Sequence, residues 1–228
     1  MKIAVFGDSF ADTHPTTKQS WVQKLGSLDK NYKIKNFAKA GSSLWWSYKK
    51  FCKNIESYEA IVFVLTRYGR LSFEDHHISG LETLNFINPE LESQYPGISK
   101  SIEHYFLILQ DDQQEVFLHN KIIEDIKKRC KKTNKRLVLL PAFDCTIHHQ
   151  DIFEIGLHNI TMKEIETATG SKKFIPETPR RVNHLSEMNR QILANIVHDI
   201  LQGRCNTKIG IDNFVYETYS DLKKYWHI

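Results

Sequence analysis

The 228-residue chain contains no run of the roughly 18 consecutive apolar residues that a membrane-spanning helix needs. The apolar stretch behind Met1 is also too short for the core of a signal peptide. The expected setting is therefore the cytoplasm, with Met1 as the mature start. Cysteine is sparse: Cys52, Cys130, Cys145 and Cys205 stand far apart and form no C-x-x-C pair. That argues against a zinc or dithiol framework and for free thiols. The adjacent pairs His76-His77 and His148-His149 each send their side chains in different directions, and no H-E-x-x-H spacing occurs. A metal site is not expected on that basis. The sequence has no internal repeat and no low-complexity linker, so residues 1–228 read as one domain. An excess of one charge sign is nearly lacking too, at a formal net +4, and much of that lies between Lys127 and Arg136. No aromatic residues interleave with these cations, so the segment reads as the solvated face and last turn of a helix, not as a nucleic-acid site.

What is present is the composition of a globular protein, 41% hydrophobic and 25% charged. Residues 2–6 form a short apolar run ending at Gly7, as a strand feeding a turn would. Residues 18–27 fit an amphipathic helix with Trp21, Val22 and Leu25 on one side. Residues 33–37 alternate as a second strand. Residues 43–57 fit a helix, and 60–65 (AIVFVL) are a continuous apolar run of the kind found in a central parallel strand. Residues 71–113, punctuated by Gly80, Pro89, Pro96 and Gly97, read as an insertion with helical pieces of its own. A helix is expected over 115–133, a buried strand over 137–141 and a terminal helix over 186–202 with Ser186 as its N-cap. Residues 144–182 read as irregular, with a helical piece at 161–170, and an aromatic tail runs from 203 to 228. Strands alternating with helices imply a parallel sheet covered on both faces, an α/β fold of three α/β/α layers. In such sheets ligands bind beyond the carboxyl ends of the strands.

The strongest local signal is Gly7-Asp8-Ser9-Phe10, directly after the first strand. Gly7 lets the chain turn sharply out of the sheet. A serine hydroxyl there is a weak nucleophile until a base takes its proton. The natural base is His184, in Asn183-His184-Leu185-Ser186 just before the last helix. Its ordinary pKa of about 6.5 suits general-base work near neutrality. Arg67 and Arg70 follow the central strand and stand where they can bind an anionic group of a substrate. Trp45 offers an aromatic face for a sugar ring or simply packs on its helix. Asp8 is either a further contact to substrate or a capping acid of the turn.

These residues resemble the SGNH (GDSL-like) serine hydrolases. The resemblance follows the chain in order from its first strand to its terminal helix. The first block of that family matches GDSF, which gives Ser9 the nucleophile's role and its N–H a place in the oxyanion hole. The second block matches Asn36–Ser43, with Gly41 as the second oxyanion donor. The third block, normally Gly-x-Asn-Asp, is replaced by Leu65-Thr66-Arg67-Tyr68-Gly69-Arg70, where Thr66 or Tyr68 stands near the missing asparagine. In the fourth block, normally Asp-x-x-His, Arg181 takes the aspartate's place before His184. Asp144, after a strand, is then the first candidate for the orienting acid, with Asp151, Glu177 or a backbone carbonyl as alternatives. The resemblance implies a flavodoxin-like SGNH domain. It implies hydrolysis of an O-acyl ester, such as an acetyl group on a carbohydrate, with no cofactor. A binding module that has lost catalysis, and an acyltransferase using the same serine, are the competing readings. Gly-x-Ser-x-Gly, the mark of a different serine-hydrolase fold, does not occur.

Overall fold

The computed structural model describes residues 1–12, 19–74, 76–78, 89–141, 185 and 187–204. Its centre is a four-stranded sheet of β1 (Lys2–Phe6), β2 (Lys33–Asn36), β3 (Ala60–Leu65) and β6 (Arg136–Pro141), in the order β2-β1-β3-β6. Every pairing is parallel, with Ile3 opposite both Ile34 and Ala60, and Val62 opposite Val138. β3 is buried at all six positions, which is why its sequence is apolar throughout and does not alternate. β2 is an edge strand, and its pattern alternates exposed with half-buried. Phe6 sits at the middle of the core, stacked on Phe37 at 5.1 Å and edge-on to Phe51 at 5.7 Å.

Helices α1 (Trp21–Leu28) and α6 (Glu187–Leu201) pack against each other on one side of the sheet. Helices α2 (Leu44–Asn54) and α5 (Asp112–Lys132) pack together on the other. The result is the three-layer α/β/α arrangement expected from the sequence. Helix boundaries follow local capping chemistry. Ser20 and Gln23 form a reciprocal capping box at α1, so the helix begins at Trp21 and not at Lys18. Asp111 accepts the amides of Gln113 and Gln114, so α5 starts at Asp112, earlier than its apolar pattern indicates. Its buried stripe is His119, Ile123, Ile126 and Cys130. Phe117, an apolar residue of the same helix, lies 59% exposed. Between β3 and α5 lie an antiparallel hairpin, β4 (Leu71–Phe73) and β5 (His76–Ile78), then α3 (Pro89–Gln94), α4 (Ile98–His104) and a π-helical turn at Tyr105–Leu109. The hairpin was not foreseen. Its strands are three residues long and are pinned from outside by Tyr95, which packs edge-on to Phe73 and His76. The expected helical piece at 161–170, the Ser186 cap and the aromatic tail beyond Arg204 lie outside the described residues.

The strand order defines where a site can form. The chain passes from β1 to β2 on one side and then to β3 on the other, so β1 and β3 flank the topological switch point. Connections leaving their carboxyl ends diverge there and open a crevice. The two connections are Gly7–Asp12 and Thr66–Arg70. No helix among the described residues is long and apolar enough to cross a membrane.

Candidate active site

The turn after β1 is fixed from all sides. The Asp8 carbonyl accepts the amides of Ala11 at 3.1 Å and Asp12 at 2.9 Å, which wraps Ser9 and Phe10 into a single helical turn. Ser9, the nucleophile expected from the sequence, lies half-buried in this turn. Trp21 donates its indole N–H to the Phe10 carbonyl at 2.7 Å, and the Asn36 amide donates to the Ala11 carbonyl at 2.7 Å. Gly7 is required by close approach as well as by dihedral. Its φ is 145°, and a Cβ built there would stand 2.6 Å from Cβ of Val64 on the neighbouring strand.

Asp8 is fully buried, and its carboxylate serves the protein interior and not a substrate. Oδ1 accepts the Phe10 amide at 3.1 Å. Oδ2 accepts the Thr66 hydroxyl at 2.7 Å and the Arg70 guanidinium at 2.7 Å. Two sequence expectations change as a result. Arg70, placed at the cleft as an anion binder, has 9% of its side chain exposed and is committed to Asp8 and the Ser42 carbonyl. Thr66 donates its one hydroxyl hydrogen bond to Asp8, so it has none to offer an oxyanion. The physical reason is the cost of a buried carboxylate, which must gather donors around it. Three residues away across the Gly69 turn, Arg67 is exposed. Tyr68 is half-buried beside it.

The loop from Phe37 to Ser43 folds over Gly7. The Gly7 carbonyl accepts the Lys39 amide at 3.1 Å and the buried hydroxyls of Ser42 at 3.1 Å and Ser47 at 3.3 Å. The amides of this loop are almost all committed: Phe37 to Val5, Ala38 to the Asn36 side chain, Lys39 to Gly7, Ala40 to the Asp12 carboxylate, Ser42 to Lys39 and Ser43 to the Ser72 hydroxyl. The Gly41 N–H is the exception, with no acceptor among the described residues. Gly41 is third in the turn closed by Ser42 and Lys39 and has φ 77°, a conformation glycine adopts without strain. Ser42, Ser47 and Asp12 were not singled out from the sequence, because small polar residues beside a loop carry no local mark of burial.

His119 is a further residue that the sequence did not reveal as part of this region. It is 3% exposed, and its Nε2–H donates to the Thr66 carbonyl at 2.8 Å. Burial holds its pKa below the usual histidine value. The available signal was its place four residues before Ile123 and seven before Ile126, on the buried stripe of a helix.

Beside these loops, on the α2–α5 side, lies a cavity of about 520 Å³. Trp45, Tyr68, Arg67 and Arg70 all line it. Trp45 is 52% exposed, against 7% for its neighbour Trp46, which packs edge-on to His77. His77 in turn pairs through Nδ1 with the Ser72 hydroxyl at 3.0 Å. The structure thus brings Asp8, Thr66 and Arg70 into direct contact and sets the Gly41 loop over Gly7. The expected base His184 and the candidate acids Asp144, Asp151 and Glu177 lie outside the described residues. Leu185, which follows His184, is buried in the core at 4% exposure, two residues before α6 begins.

Comparison with solved structures finds the same fold elsewhere. An acetyl xylan esterase matches over 86% of this chain and 98% of its own, at 11% identity and a TM-score of 0.50. A candidate GDSL-like lipase from Parabacteroides merdae matches over 88% and 95%, at 11% identity and a TM-score of 0.47. A lipase/acylhydrolase from Enterococcus faecalis matches over 89% and 96%, at 12% identity and a TM-score of 0.39. No protein-family model matches the sequence, and neither does any curated protein sequence. The fold is that of the SGNH (GDSL-like) hydrolases, as the resemblance of its sequence blocks implied.

Proposed function

We propose that the chain is a serine ester hydrolase acting on an O-acyl ester, with an O-acetyl group on a carbohydrate as the leading substrate. The observation that carries this reading is the Gly41 amide, the one N–H of its loop without an acceptor among the described residues, in the loop that folds over Gly7 beside Ser9. A backbone donor kept unpaired at the switch point suits a developing oxyanion, because its orientation costs nothing at the moment of reaction. The acetyl xylan esterase that shares the fold acts, by its name, on an acetylated polysaccharide.

In this mechanism the Ser9 Oγ attacks the ester carbonyl carbon while His184 takes its proton. The N–H groups of Ser9 and Gly41 hold the negative oxygen of the tetrahedral intermediate. Collapse expels the alcohol, which leaves with the proton from His184, and the acyl group stays on Ser9. Water then attacks the acyl-enzyme, His184 takes a proton from it, and the free acid departs as Ser9 recovers its hydrogen. With Thr66 bonded to Asp8, two backbone amides carry the oxyanion. The absent third donor costs about 10²–10³ in rate. Slow hydrolysis of p-nitrophenyl acetate by the wild type, lost in Ser9→Ala and in His184→Ala, is the expected result. No hydrolysis by the wild type, of this ester or of acetylated xylan, rejects the reading in favour of a binding module.

A further inference from the structure

The cavity on the α2–α5 side is independent of the chemistry proposed for Ser9, since no residue from Gly7 to Asp12 lines it. Its volume of about 520 Å³ falls in the range of small-molecule sites. Leu44, Trp45, Leu71, Leu118 and Ile122 give it largely apolar walls. Most polar side chains that reach it are engaged elsewhere. The Tyr48 hydroxyl donates to Asp125 at 2.5 Å, and that of Tyr105 to Glu115 at 2.8 Å. Lys121 pairs with Glu124, Arg70 with Asp8, and His119 with the Thr66 carbonyl. Two lining side chains differ. The Arg67 guanidinium and the Tyr68 hydroxyl, consecutive on the loop after β3, have no hydrogen-bond or ion-pair partner among the described residues. At the mouth, Trp45 and Leu118 are 52% and 45% exposed, so apolar surface continues to the solvent.

An apolar pocket with, among the described residues, one uncommitted cation and one uncommitted hydroxyl at one wall has the recognition chemistry of an amphiphile. We infer that this cavity binds an alkyl chain carrying a single anionic head, of the class of medium-chain carboxylates. The chain lies against Leu44, Leu118 and Ile122, and the head accepts hydrogen bonds from Arg67 and Tyr68. A planar guanidinium matches a carboxylate in two parallel bonds. A sugar would need several further uncommitted polar partners, which the described residues of these walls do not offer.

The test is calorimetric titration of the full chain with hexanoate, octanoate and decanoate below their micellar range, with 1-octanol as the uncharged control. Saturable binding of one octanoate is expected, tightening about tenfold for each two methylenes added. Arg67→Gln should weaken octanoate about threefold and leave octanol unchanged, because the charge is exposed and screened. Leu118→Asp, a change at a half-exposed position that the fold tolerates, should weaken both ligands at least tenfold. Ser9→Ala should bind as the wild type does, whether or not the chain hydrolyses esters, so the two readings fail separately. Absence of binding, affinity independent of chain length, equal losses for octanoate and octanol in Arg67→Gln, or unchanged binding in folded Leu118→Asp would each overturn the inference.

Discussion

At the scale of single residues, the site is organised by a charge that never meets solvent. Asp8 and Arg70 lie 62 positions apart in the chain, and nothing local in either neighbourhood marks them as a pair. Arg67 and Arg70 looked equivalent in the sequence, each following the central strand. Both line the cavity, but on either side of Gly69 their partners differ: Arg70 is committed to the buried Asp8, and Arg67 has no such partner among the described residues. Sequence patterns report periodicity and local chemistry, whereas an ion pair between distant loops depends on the sheet having formed. Ser9 could be singled out because it follows Gly7 in a turn just past a strand, and Gly41 because its loop resembles the second block of the SGNH hydrolases. Asp8→Ala should leave the Arg70 cation buried without its carboxylate and lower the unfolding free energy by about 3 kcal/mol. Urea denaturation measures this. The double variant Asp8→Ala/Arg70→Leu should recover part of the loss, because it removes the stranded charge. A double variant less stable than Asp8→Ala alone would show that Arg70 contributes through other contacts.

At the scale of elements, the apolar runs that became β1, β3 and β6 announced themselves, since buried parallel strands need no alternation. The short hairpin of β4 and β5 did not, because three residues are too few to show a period and its support comes from Tyr95, far along the chain. How closely β1 and β3 approach at their carboxyl ends is set by Gly7. A methyl group there would press into Val64 Cβ at 2.6 Å, with backbone on both sides of the contact and no flexible side chain to yield. The strands would have to separate where both connections to the site begin. Gly7→Ala is expected to cost about 3 kcal/mol, from overpacking joined to an unfavourable dihedral. Thermal unfolding should show a lower Tm. Because Ser9 is two residues on, any hydrolysis should fall further than that of a variant equally destabilised at a remote position, such as Ile126→Ala.

At the scale of the whole molecule, the outer layer and the site are joined through His119. The residue sits on α5 and its Nε2–H holds the carbonyl of Thr66, the first residue beyond β3. Burial depresses its pKa, opposed in part by that hydrogen bond. The sign of the consequence follows from proton counting. Above about pH 6.5 the histidine is neutral in the folded and the unfolded chain, and it adds no pH dependence. Below that value the unfolded chain takes up a proton while the folded one resists until the depressed pKa is reached. Stability should therefore be fully present above about pH 6.5 and fall as the medium becomes more acidic, by at most about 1.4 kcal/mol per pH unit for this one group. Depressed carboxylates such as Asp125 act in the same direction, but only well below pH 5. Between pH 7 and 5 the contrast with His119→Gln isolates the effect. Glutamine keeps an N–H for the Thr66 carbonyl and has nothing to protonate. The variant should be less stable than the wild type at pH 7 through imperfect packing, yet lose less on acidification. Parallel stability curves for the two proteins across that window would show that the proton on His119 is not what couples α5 to the carboxyl end of β3.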